Sequence, residues 1–182
     1  MSAVEYFQEH AVEFSDETNP ISHPDGLSVT VRPVRRRDAN LIMEMHERLS
    51  CDSVYYRYLG ANKPTIKDLQ HLWSSDGDAG TALIATVEEP YEKVIALAYY
   101  RIYPDNPSTA EPAILVEDSF QGRGLGKQMV MALYQQAVQN GLETFDAFVH
   151  PANYRMLKMI KSSGLQFESK YNDGMQKVRV WL

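Results

Sequence analysis

The sequence is short of cysteine, of long apolar runs and of positive charge, and each shortage excludes something. The single cysteine, Cys51, rules out an internal disulfide and any Cys-rich zinc site, and no other metal-ligand set is read. It also makes a reducing, cytoplasmic compartment the default expectation. The longest apolar stretch, Val94-Ile95-Ala96-Leu97-Ala98-Tyr99-Tyr100, is far too short to span a bilayer, so no membrane partner is expected. Met1-Ser2-Ala3-Val4-Glu5-Tyr6 lacks the basic n-region of a secretory signal. With 18 Lys and Arg against 24 Asp and Glu, the net charge is −6. That balance argues against nucleic acid as a partner. It leaves room for a cationic substrate, although solubility alone explains a mild acidic excess.

What is present is an ordinary globular composition, 44% apolar and 23% charged over 182 residues, enough chain for one domain with an appendage. The polar segment Ser15–Gly26, carrying Pro20, Pro24 and Gly26, is the first boundary. Before it, Val4, Phe7, Ala11 and Phe14 recur at helical spacing, so residues 3–14 read as an amphipathic helix. Its stripe docks on its own domain or, in a homodimer, on a second copy. Residues 1–26 are therefore an N-terminal helical extension and linker, and 27–182 the main domain.

Within that domain Leu27–Val34 reads as a strand, and Asp38 as the N-cap of a helix from Ala39 to about Leu49. Arg35-Arg36-Arg37 reads as a solvated loop. Shorter helices are expected at Ser53–Leu59 and Thr65–Trp73. Strands follow at Thr81–Val87 and Lys93–Tyr103, joined by a hairpin loop, and then at Ala110–Glu117. Pro112 has no amide to donate, which places it near the start of that strand or at a bulge. Gly124–Asn140 is a strong helix with Leu125, Met129, Leu133 and Ala137 on one face and a left-handed cap at Asn140-Gly141. A strand at Thr144–Val149, a helix from about Ala152 to Ser163, and a hairpin turning at Asn172-Asp173-Gly174 complete the chain. This order implies an α/β fold with a mixed antiparallel and parallel sheet flanked by helices.

The most informative segment is Glu117-Asp118-Ser119-Phe120-Gln121-Gly122-Arg123-Gly124-Leu125-Gly126-Lys127, which joins a strand to a helix. Glycines there let successive amides turn towards one point, and with the helix N-terminus they form an anion cradle that Arg123 and Lys127 can supplement. A tight strand–helix turn without a ligand explains the same glycines. The Walker A pattern fails, because Gln128 follows Gly126-Lys127 and Gln121 stands at the first glycine. A dinucleotide fingerprint fails at its third glycine, where Lys127 stands. The pattern Gln-x-x-Gly-x-Gly is met by Gln121, Gly124 and Gly126.

On these residues the sequence resembles the GNAT superfamily of N-acetyltransferases. Val116 to Gly126 looks like that superfamily's acetyl-CoA pyrophosphate loop with its preceding strand. His150-Pro151-Ala152-Asn153-Tyr154-Arg155-Met156-Leu157, closed by Gly164-Leu165, looks like its second cofactor segment. Leu49-Ser50-Cys51-Asp52-Ser53-Val54-Tyr55-Tyr56-Arg57-Tyr58-Leu59 is similar to the Leu-Ser-x-x-Ser-x-Tyr-x-Arg-aromatic segment of bacterial protein-lysine acetyltransferases. In those proteins the domain is often fused to an acyl-CoA-synthetase-like or cyclic-nucleotide-binding region. The resemblance covers about Leu27 to Leu182. It implies a GNAT fold in which the strands Ala110–Glu117 and Thr144–Val149 splay apart. It also implies acetyl-CoA as acyl donor, with the pantetheine arm bonded near Leu115 and Val116. The pyrophosphate rests on Gly122, Arg123, Gly124, Leu125 and Gly126, beside Gln121 and Lys127, and Asn153 approaches from the second strand. By position alone, Asn153 caps its helix as readily as it touches a ligand.

The chemistry implied is acetyl transfer to an amine, which must be neutral to attack. Deprotonating a lysine-like amine at neutral pH costs roughly 4.6 kcal/mol. Glu111, at the start of the strand that leads to the loop, matches the family's general-base glutamate, and Pro112 biases its backbone towards the extended form. Glu117 and Asp118 are expected to shape the turn, because negative charge beside a pyrophosphate is unfavourable. His150 reads as strand-end structure, and Cys51, with no His partner, as inert. Ile160 stands where many superfamily members carry a tyrosine acid, which leaves Tyr99, Tyr100 and Tyr154 as proton donors to be placed. The acceptor is a primary amine, either a protein lysine or a small amine or amino acid. A non-catalytic acyl-CoA-binding module is the rival reading.

Overall fold

A computed structural model describes residues 19–22, 28–73, 80–88 and 90–182. The helix expected over residues 3–14 lies outside the described residues. The elements are β1 (Asn19–Ser22), β2 (Ser28–Pro33), α1 (Ala39–Glu47), α2 (Cys51–Tyr58), β3 (Ala82–Glu88), β4 (Glu92–Tyr103) and β5 (Asn106–Val116). They continue with α3 (Leu125–Gln139), β6 (Thr144–Val149), α4 (Tyr154–Ser162), β7 (Phe167–Asn172) and β8 (Met175–Trp181). The described strands form one sheet in the order β1-β2-β3-β4-β5-β6-β8-β7. Every neighbouring pair is antiparallel except β5 and β6, which are parallel and joined through α3.

β4 explains the longest apolar run of the sequence. Residues 94–100 are all buried, because helices cover both faces of the sheet at this strand. On one face α3 sets Leu125, Met129, Leu133 and Ala137 against Ile95, Tyr100 and Ala110. Burying Leu133 completely contributes about 1.5–3 kcal/mol. On the other face Ile42 and Met45 of α1 and Val54 of α2 pack with Leu97, Tyr99, Ala113 and Leu115. The helix α3 ends in the expected cap, with Gly141 at φ +76° and the Leu142 amide donating back to the Ala137 carbonyl.

Three expectations shift. Asp38 stands at the N-terminal boundary of α1 but does not cap it. Its carboxylate accepts from Arg32 at 2.7 and 2.9 Å and from the Arg35 amide, because the buried Arg32 guanidinium needs an anion. Residues 65–73 form turns and a single 3-10 turn, Gln70–Leu72, rather than a helix. Asp68 bonds the Thr65 amide and hydroxyl, and the Asp68 carbonyl takes the His71 ring instead of the amide that an α-helix would offer.

The third shift concerns β5, which starts four residues early at Asn106, so Pro112 lies mid-strand opposite Tyr100. The Tyr100 amide donates to Thr81, away from β5. Directly opposed residues of an antiparallel pair face the same way relative to the ladder, so the Pro112 nitrogen faces β6. Pairing between β5 and β6 covers only Thr109 with Thr144 and Ala110 with Phe145. The strands therefore part where Pro112 has no proton to give, while β6 stays paired with β8 throughout.

Candidate active site

The opening between β5 and β6 ends, at the carboxyl end of β5, on the glycine-rich turn. Gly122 and Gly124 lie at φ +76° and +89°, the left-handed region. A Cβ on either would meet nothing within 4 Å, so backbone conformation rather than crowding calls for glycine here. Gly124 is the N-cap of α3 and has no side chain with which to cap it. The first-turn amides of Leu125 and Gly126 thus keep N–H groups with no intrahelical acceptor. The Gln128 amide is the first to bond back, to the Gly124 carbonyl at 3.1 Å. Convergent amides at the positive end of a 15-residue helix fit a pyrophosphate. Arg123 is exposed and Lys127 half-buried on this rim.

Side chains hold that turn in place. Gln121 donates through Nε2 to the Val116 carbonyl at 2.9 Å and to Ser53 Oγ at 3.1 Å, while its Oε1 accepts from Arg155. Asp118 accepts the Ser50 amide at 2.9 Å, the Ser50 hydroxyl at 2.7 Å and the Ser53 hydroxyl at 2.9 Å. Burial alone would raise the Asp118 pKa, but these donors outweigh it and hold the carboxyl below its ordinary value. Glu117 behaves alike. Burial is outweighed by Lys93, Arg48 and Ser119, and the pKa is lowered. Both acids are engaged in holding the turn, the role expected of them from the sequence. The two serines of the Leu-Ser-x-x-Ser segment are the donors that latch α2 onto the turn, a role their spacing carried but did not disclose.

Along the opening, the same alternation that turns Pro112 towards β6 turns Ile114 and Val116 that way too. Leu115 instead faces Leu97 within the sheet, so Ile114, not Leu115, joins Val116 in presenting backbone to the gap. The Val116 carbonyl is already used by Gln121. Across the gap, Asn153 is the N-cap of α4, its Oδ1 accepting the Met156 amide at 3.2 Å. His150 accepts the Ala152 amide and rests against the rings of Tyr55 and Tyr56, so it is strand-end structure.

At the other end of the opening Glu111 is exposed on the α1/α2 face of the sheet, with Arg101 directly opposite on β4. Tyr99 lies diagonally across on β4, its β-carbon somewhat closer than about 7–8 Å. Its hydroxyl accepts from Arg57, whose guanidinium also sits 5.1 Å from the Tyr58 ring centroid and 5.2 Å from that of Tyr99. The His71 ring lies 5.2 Å from Tyr99. Asp146 on β6 is paired bidentately with Arg179 at 2.6 Å, which with Lys177 outweighs burial and lowers its pKa. Tyr100 is on the opposite face, its hydroxyl bonded to Thr81 and Asn140, and Tyr154 is exposed at the start of α4. Of the three tyrosines, only Tyr99 shares the face of Glu111. Arg57 lies in the Leu49–Leu59 segment singled out in the sequence, but neither its neighbourhood nor that of His71 shows that the two side chains meet Tyr99 over β4.

The model of the acetyltransferase (GNAT) family matches residues 44–165, a span that contains the latch, the glycine turn and the start of α4. The chain belongs to this family. It is 30% identical over 145 residues to Acetyltransferase Pat of Mycolicibacterium smegmatis, covering 80% of this chain and 43% of that protein. It is 26% identical to Acetyltransferase PA5475 of Pseudomonas aeruginosa, covering 85% of this chain and 83% of that protein. The chain thus spans less than half the length of the first relative and most of the second. Among solved structures, the GNAT domain of S. lividans PAT superposes with a TM-score of 0.81 at 27% identity, covering 91% of this chain and 97% of that one. Among the described residues, no helix is long and apolar enough to cross a membrane.

Proposed function

We propose that this GNAT protein moves an acetyl group from acetyl-CoA to a primary amine. The observation that carries the reading is the parting of β5 from β6 beside an uncapped, glycine-built helix N-terminus. A pyrophosphate on the amides of Gly122–Gly126 sends the pantetheine arm into the gap. There the Ile114 backbone groups and the Val116 amide receive it as an added strand would be received. Asn153, with Oδ1 spent on its cap, contributes its amide Nδ2. The thioester then lies towards Pro112, on the Glu111 side.

Glu111 takes a proton from the acceptor ammonium, directly or through one water, so that the neutral nitrogen attacks the thioester carbonyl. The new C–N bond forms as the C–S bond breaks, and the proton that the acylated nitrogen sheds passes through water to the departing CoA thiolate. A thiol-like pKa of about 8.5 makes that a fair leaving group which water can protonate. The Leu49–Leu59 resemblance favours a protein lysine as acceptor, with a small amine or amino acid as the second reading. The exposed, unpaired Cys51 accords with a cytoplasmic setting.

The test is turnover. An enzyme releases CoA when acetyl-CoA and an amine library are added, whereas a binding module holds acetyl-CoA and releases none. Glu111→Gln keeps shape but cannot take the proton. It should lower kcat by at least about tenfold, and by up to the roughly 10²–10⁴ that general-base help supplies, with acetyl-CoA affinity unchanged. Its activity should recover in part at alkaline pH, where more acceptor is already neutral. Wild-type rates for this variant from about pH 7 to 9 would put the base elsewhere.

A further inference from the structure

One part of the sheet is buried by nothing that the described residues supply. Val29 and Val31 of β2 are 0% exposed and turn to the α3 face, in the cluster that also holds Leu83, Ala85 and Val87 of β3. α3 packs on β3, β4 and β5 and is centred on β4. Packed helices lie about 8–10 Å apart, or about two strand spacings, so the place beside α3 over β2 has the width of one more helix. Among the described residues no helix fills it. α1 and α2 pack on the other face of the sheet. α4 flanks α3 on the far side, its Met159 sulfur 3.6 Å from where a Cβ of Gly126 would stand.

α3 carries the same mark. At 3.6 residues per turn, Gln128 and Gln135 lie on the flank away from Gly126, and Met131 points away from the sheet-facing Leu125, Met129 and Leu133. The outer face of such a helix is ordinarily solvated. Met131 is nevertheless only 8% exposed. Both amide atoms of Gln135 and Oε1 of Gln128 are also shut off from solvent, with no hydrogen-bond partner among the described residues.

The cover has to come from elsewhere in the chain. Residues 23–27, 74–79 and 89 bring one large apolar side chain, Leu27. Residues 3–14 bring Val4, Phe7, Ala11 and Phe14 on one helical face, with Glu5, Glu9 and Glu13 opposite. Residues 15–18 join that segment to Asn19, the first residue of β1, which pairs with Val31 itself. Four extended residues span up to about 14 Å, so the segment reaches the groove of its own chain. We propose that residues 3–14 form a helix that docks in cis in the groove between α3 and the α3 face of β2. Its apolar stripe covers Val29 and Val31 and the flank of α3 that holds Met131 and Gln135. A tether this short raises the local concentration to about the millimolar range, so no second copy is needed. The docking is independent of what the active site acetylates.

Disulfide trapping tests this in the full chain, with Cys51 replaced by Ser. Val4→Cys, Phe7→Cys, Ala11→Cys and Phe14→Cys are each combined with Gln135→Cys. At least one pair should oxidise within a single chain and run as a faster monomer on a non-reducing gel, and Glu9→Cys with Gln135→Cys should not. When the trapping partners are carried on separate chains and mixed, no linked dimer should form. Phe7→Asp should lower the melting temperature by at least about 5 °C, and Glu9→Gln by about 1 °C or less. Linkage between mixed chains would move the segment to a second copy. No linkage from any stripe position, linkage from Glu9 equal to that from the stripe, or a Phe7→Asp variant as stable as the wild type would remove it from the groove. Each of these results would overturn the proposal.

Discussion

The two ends of the β5–β6 opening are finished in opposite ways. At the glycine turn the acidic side chains are consumed by the protein, Glu117 by Arg48 and Lys93, and Asp118 by Ser50 and Ser53. What remains there for a ligand is mainly backbone, with Arg123 and Lys127 on the rim. At the Glu111 end there are an exposed carboxylate and, among the described residues, a guanidinium that makes no ion pair and an imidazole nitrogen without a donor. Backbone amides recognise what every substrate pair has in common, and side chains recognise what varies. On the acetyl-transfer reading proposed above, the donor half would be generic and the acceptor half specific.

The harshest way to break this contrast is at the turn itself. Gly124→Asp adds a carboxylate at a left-handed position beside the amide cradle. Acetyl-CoA binding by calorimetry should fall below detection while the far-ultraviolet spectrum stays that of the wild type. Unchanged affinity would mean that the turn holds no phosphate. The latch should give a smaller effect. Asp118→Asn keeps the size but weakens the bonds to Ser50 and Ser53, costing about 1 kcal/mol once solvent screening is allowed for. The melting temperature should drop by about 2–4 °C, and acetyl-CoA should bind more weakly. A variant as stable as the wild type would make the latch incidental.

Acid is the mildest probe of the same difference. Asp118 and Glu117 are held below their ordinary values of 3.8 and 4.5. Their stabilisation is complete above those values and is lost as pH falls through the lowered folded-state pKa. Thermal stability should be flat from neutral pH down to about 5 and then decline, and Asp118→Asn should decline less steeply. If wild type and variant lose stability in parallel, Asp118 takes no part in the acid transition.

Much of the donor half could be read along the chain. The glycine turn and Asn153 lie in contiguous segments whose spacing carries the geometry, and β6, α3 and the final hairpin fell close to their expected bounds. Other features misled because the competing interaction was not local. The polar, proline-bearing start of β5 reads as loop yet pairs with β4, and the Asp38 carboxylate turned from its helix to a buried arginine. Ile114 and Leu115 are indistinguishable by type. Only the hydrogen-bond register with β4 decides which faces the gap.

By itself the sequence determined the local pieces, meaning the glycines that permit left-handed turns, the helical stripe of α3, the proline that cannot pair and the serine spacing of α2. These follow from backbone sterics and periodicity within a few residues. Only the tertiary structure decided that Pro112 faces β6 and so opens the sheet, that Ser50 and Ser53 reach Asp118, and that Arg57, His71 and Tyr99 meet across from Glu111. Each of those contacts joins residues far apart in the chain. Strand register and the packing of α2 over the sheet set them, and neither can be computed from the neighbours of one residue alone.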